Sequence, residues 1–90
     1  MNYADQARAL DLPEYSEESG FYRLVGAAVQ KARTRKGMKQ IELAGILGVS
    51  QSGLARFEKG ETRFPLYELV QVARVLEVRL TALIPKGEDS

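Results

Sequence analysis

Between Gln40 and Gly60 the chain specifies two short helices with only three residues between them. Gln40 to Leu47 carries Leu43, Ala44 and Leu47 at helical spacing. Ser50 opens a second run, Gln51 to about Lys59, with Leu54 and Phe57 directed inward. Gly48 supplies the positive φ that a tight turn demands, and Gly60 ends the second helix. Val49 is apolar and plugs the turn into the core, while Ser50 is a good N-cap. Helices this short, joined through one glycine, cross at a steep angle. Whatever packs around them must accommodate that angle.

The flanks supply the rest of a core. From Phe21 onward, Phe21, Leu24, Val25, Ala28, Val29 and Ala32 predict an amphipathic helix ending near Gly37. Its start is open: Ser16 and Ser19 are both N-cap candidates. Pro65 stands at the expected first position of a fourth helix with Leu66, Leu69, Val70, Ala73 and Leu76 inward. Val78 to Ile84 reads two ways, since Leu80, Leu83 and Ile84 suit a fifth short helix and Val78, Leu80, Ala82 and Ile84 alternate as a strand. The expected fold is all-α, a compact bundle of four to five short helices with a possible short C-terminal strand. We divide the chain into a leader or arm over 1–18, a domain over 19–84 and a polar tail over 85–90.

Composition narrows the chemistry. Ninety residues make one small domain. The chain has no cysteine and no histidine, which removes disulfides, thiolate zinc sites, the thiol nucleophile, the usual general base and the commonest metal ligand. We therefore expect no enzyme, no metal and no cofactor. The apolar runs fall far short of the roughly 18 residues that span a bilayer. Met1 to Leu10 includes Asp5 and Arg8 and lacks a signal-peptide core, so a cytoplasmic location is expected.

The net charge of +1 conceals a division: residues 1–20 carry −4, residues 21–63 carry +6 and residues 64–90 carry −1. A basic centre suggests an anionic partner for the middle of the chain. A solvated surface is the alternative.

Gln40-Ile41-Glu42-Leu43-Ala44, then Leu47-Gly48-Val49-Ser50-Gln51-Ser52, then Phe57-Glu58-Lys59-Gly60, then the Pro65 helix, together resemble the helix-turn-helix of the phage repressor and Cro (XRE) family. The similarity runs without a gap from about Leu24 to Ile84. It implies a lambda-repressor-like fold and binding to double-stranded DNA. Independently of the family, a major groove admits one helix, and glutamine and serine can bond base edges. The missing side chain of Gly53 makes sense if something approaches closely there.

The resemblance implies base contacts from Gln51, Ser52, Gly53, Ala55 and Arg56. It implies phosphate contacts from Lys39, Gln40, Lys59, Thr62 and Arg63, with Gln40 also bracing Gln51. Arg33 and Glu58 match a structural salt bridge. Three positions depart from the family: Lys39 replaces a Thr or Ser cap, Glu77 a glycine, and Arg79 a Ser or Thr cap. The last two weaken the fifth-helix reading and keep the strand alive. The expected function is a dimeric transcriptional regulator, a repressor with two half-sites, its dimer interface formed by Leu80, Leu83 and Ile84. The alternative is a DNA-binding antitoxin that also holds a toxin protein.

Overall fold

The computed structural model describes residues 18–85. The leader with its Ser16 cap therefore lies outside the described residues except for Glu18, and the tail does so except for Pro85. Four α-helices follow one another: α1 Glu18–Arg35, α2 Gln40–Leu47, α3 Gln51–Lys59 and α4 Leu66–Leu76. A single 3₁₀ turn, Leu80–Ala82, comes last. Over the described residues α1 runs Glu18–Arg35, which places Ser19 within the helix. Pro65 is the N-cap of α4, one position before the place expected for it.

All four helices end alike. A left-handed residue stands directly after α2, α3 and α4 and two positions after α1, and the next N–H returns to a carbonyl five residues back, which satisfies groups the helix leaves unpaired. These bonds are Met38 N–H to Arg33, Val49 N–H to Ala44, Glu61 N–H to Arg56 and Val78 N–H to Ala73, at 2.9–3.0 Å. Glycine takes the turn position three times, as Gly37, Gly48 and Gly60; the fourth is Glu77, at φ 57°. That glutamate bonds the ammonium of Lys36, which ties the end of α4 to the end of α1.

The core joins Val25 and Val29 of α1, Leu43, Ala44 and Leu47 of α2, Leu54 of α3, and Leu69, Val72, Ala73 and Leu76 of α4, with Phe64 and Leu83 from the connections. Val49 and Phe57 are half-buried against it. Leu24, expected in the inner stripe, is 49% exposed because it stands on the side of α1 roughly opposite Gly26 and Arg33, the residues that meet α3. The C-terminal ambiguity resolves as neither alternative in full. The chain makes one 3₁₀ turn, no strand forms among the described residues, and Leu83 folds back into the core at 1% exposure.

α1 meets α3 backbone to backbone. A Cβ at Gly26 would lie 2.4 Å from the carbonyl oxygens of both Phe57 and Glu58, and one at Gly60 would lie 2.4 Å from Arg23 Cα. These two glycines set how closely α3 sits on α1, and so where its outer face points.

Candidate nucleic-acid interface

The turn between α2 and α3 is fixed from both sides. α2 lacks a side-chain acceptor at its cap, since lysine only donates. The reciprocal half of a capping box compensates: the Lys39 N–H donates to the Glu42 carboxylate at 2.7 Å. At the start of α3 the Ser50 hydroxyl accepts from the Gly53 N–H at 3.0 Å. A Cβ at Gly53 would sit 3.0 Å from that hydroxyl oxygen. The group that the missing side chain leaves room for in the free protein is thus the cap.

α3 buries Leu54 and Glu58 and exposes Gln51, Ser52, Arg56 and Lys59. Gly53 and Ala55 are intermediate. Ser52 and Arg56 are four residues apart and share a helix face with the N-terminal Gln51 close by. Such a face, one helix wide and polar, has the dimensions and donors that a major groove accepts.

A buried polar cluster holds α3 from behind. Arg33 and Glu58 are 7% and 5% exposed. Arg33 Nε donates to Glu58 Oε2 at 2.8 Å and its second terminal nitrogen to Oε1 at 3.1 Å, a two-bond fork. The remaining guanidinium nitrogen donates to the Met38 carbonyl at 2.9 Å. Gln40 Nε2 donates to Glu58 Oε1 at 3.0 Å. Gln40 is thus held in place by Glu58, while the support it is expected to give Gln51 has no hydrogen bond behind it among the described residues. Sequence reading identified the Arg33–Glu58 pair but not Gln40 as its third member.

The basic rim is uneven. Lys39, Arg56 and Lys59 are exposed and engage in no ion pair among the described residues. Arg63 is exposed but paired with Glu18, Nε to Oε2 at 3.0 Å. The Thr62 hydroxyl oxygen is buried with no hydrogen-bond partner among the described residues, so in this rotamer it points away from any phosphate. The loop carrying both is pinned by Phe64, whose ring stacks 4.8 Å from that of Phe57 in α3. Leu83 is committed to the core of its own chain, while Leu80 and Ile84 are half-buried. Among the described residues no three of His, Cys, Asp and Glu gather as a metal would require. No helix among them is long and apolar enough to cross a membrane.

A family model described as helix-turn-helix, HTH_3, matches residues 29–83. A protein of Pyrococcus horikoshii named for HTH-type transcriptional regulation is 38% identical over 63 residues, covering 69% of this chain and 20% of the relative. The chain thus spans about a fifth of that relative's length. Among solved structures, the clp gene regulator ClgR of Corynebacterium glutamicum aligns with a TM-score of 0.66 at 27% identity, over 70% of this chain and 82% of that one. The same architecture forms part of HppE, solved with Fe(II) and a substrate, with a TM-score of 0.67 at 28% identity over 76% of this chain and 36% of that one. Likeness of fold alone therefore does not choose a function; the exposed residues must.

Proposed function

The chain belongs to the HTH_3 helix-turn-helix family, and from that premise we propose that it binds double-stranded DNA in a sequence-specific way as a transcriptional regulator. The observation that carries this is the outer face of α3. Gln51, Ser52 and Arg56 stand exposed on a helix whose other side is anchored by Glu58; Lys59 stands exposed at the C-terminal end of that helix and Lys39 at the N-terminal cap of α2. Glutamine suits adenine, arginine suits guanine, and lysines suit the phosphates on either side. The names of the Pyrococcus relative and of ClgR agree with a regulatory role.

The finer reading is a homodimeric repressor acting in the cytoplasm, its two α3 helices about 34 Å apart to meet successive major grooves. Of the three residues expected at the dimer interface, Leu80 and Ile84 keep surface to offer a second copy. The protein acts by occupancy and not by catalysis, consistent with a sequence that has neither histidine nor cysteine.

The test is selection from a random duplex pool, followed by footprinting on the region upstream of the protein's own gene. The expected result is one enriched motif, repeated as two half-sites about 10 base pairs apart, centre to centre. A pool that shows no enrichment would overturn sequence-specific binding.

A further inference from the structure

The cations expected to meet a DNA backbone are not equally available. Lys39 and Lys59 are unpaired among the described residues, but Arg63 is already held in a fork. Its Nε lies 3.0 Å from Glu18 Oε2, and a terminal nitrogen donates to Glu18 Oε1 at 3.2 Å. Two N–H groups on two oxygens of one acid is the arrangement that arginine also offers a phosphate. The pair is not an accident of neighbouring helix turns: 45 residues separate its members, one opening α1 and the other in the loop before α4. It is also accessible, the side chains being 73% and 57% exposed, so a phosphate can reach the guanidinium and displace the carboxylate.

We propose that Glu18 is an internal phosphate mimic, which occupies on Arg63 of the free protein the place that a backbone phosphate takes in the complex. The chain then competes with DNA for one of its own backbone contacts. This rests on the reading that the α3 face binds DNA and that Arg63 meets a phosphate. Displacement is easy for two reasons. An exposed pair of this kind shifts an equilibrium by only about two- to fivefold. Once released, Glu18 still lies in the first turn of α1, where the helix dipole favours an acid.

The exchange has a signature in salt. A free arginine that neutralises a phosphate releases close to one counterion. A paired arginine liberates a carboxylate at the same moment, and that carboxylate gathers a cation, which cancels much of the release. Glu18 therefore lowers affinity and flattens its salt dependence together. It does so on any sequence, because backbone contacts read none.

The experiment compares wild type, Glu18→Gln, Arg63→Gln and the double variant. Fluorescence anisotropy with a labelled mixed-sequence duplex is measured across a salt series, and circular dichroism melts check that each variant is folded. Glu18→Gln should bind about two- to fivefold more tightly per bound subunit at low salt, with a slope of log affinity on log salt steeper by about one per subunit. Both changes should vanish in the Arg63→Gln background. A gain that survives there is a general charge effect and overturns the mimic. Weaker binding by Glu18→Gln, which would make Glu18 a positioning residue for Arg63, overturns it as well, and so does no change. If wild type binds no duplex even at low salt, the DNA-binding reading fails and this inference falls with it. If wild type binds and Glu18→Gln changes nothing, only this inference is lost.

Discussion

The side-chain amide of Gln40 donates to the buried carboxylate of Glu58 at 3.0 Å. An ionised carboxylate only accepts, so the NH₂ end of Gln40 must face it. The second N–H of that amide is then left to donate elsewhere, and a phosphate is the acceptor we propose for it. The ion pair that locks α1 to α3 also aims a residue at the rim of the candidate interface.

Breaking this cluster on one side should be severe. Glu58→Ala strands the guanidinium of Arg33, and we expect a loss of about 3–5 kcal/mol by urea unfolding. Arg33→Met combined with Glu58→Leu should recover much of that loss, since buried pairs are often replaceable by apolar residues of like volume. The recovered fold should still bind DNA more weakly than wild type, because Gln40 has lost its brace. Full DNA affinity in the double variant would show that the cluster is structural only.

Gly26→Ala tests the close crossing of α1 and α3. The added methyl meets two carbonyl oxygens at 2.4 Å, so the helices must separate. Helix propensity favours alanine by about 1 kcal/mol, yet overpacking of this kind costs about 1–3 kcal/mol or more. We expect net destabilisation and, because α3 shifts, weaker DNA binding per folded molecule. An increase in Tm would contradict the crossing geometry.

Glu77 combines a backbone strain with an ion pair. Its left-handed conformation favours glycine, whereas its exposed pair with Lys36 contributes little. Glu77→Gly should therefore raise Tm by a few degrees at neutral pH. The hydrogen bond from Lys36, and then its charge, hold the Glu77 carboxyl below the ordinary value of 4.5. A pKa lowered on folding adds stability above the unfolded value and loses it as pH falls through the folded value. Lys36→Met should remove that part of the acid sensitivity, visible in melts taken from pH 5 downward.

Gln51 is expected to read bases. Gln51→Ala should weaken binding to the selected site by about 1–3 kcal/mol and leave binding to unrelated duplex nearly unchanged. Equal losses on both duplexes would place Gln51 on the backbone instead.

Much of this arrangement is legible in the sequence, and the limits are instructive. Gln40–Leu47 and Gln51–Lys59 stand where their apolar spacing puts them, because Gly48, Ser50 and Gly60 punctuate them unambiguously. Arg33 and Glu58 are found through family resemblance, since 25 residues of separation leave no local signal. The C-terminal turn is not legible, because Glu77 and Arg79 stand where glycine and a hydroxyl cap would mark the path. Gly26 is missed for a different reason. A glycine between Val25 and the small residues that follow looks like part of an apolar face. Its mid-helix position, unfavourable by propensity, was the one signal available. Nothing in the sequence around Glu18 announces that it will meet Arg63, 45 residues on.

The most direct test of DNA binding by this face is the salt dependence of affinity for a labelled duplex. The expected contacts are Lys39, Lys59 and Arg63 from each of two subunits, about six phosphates, for a slope near −5. With Glu18 withholding Arg63, about four are fully gained and wild type should show a slope near −4. A slope near zero would contradict the assignment of α3, with Lys59 at its end and Lys39 at the cap of α2, as a DNA-binding face.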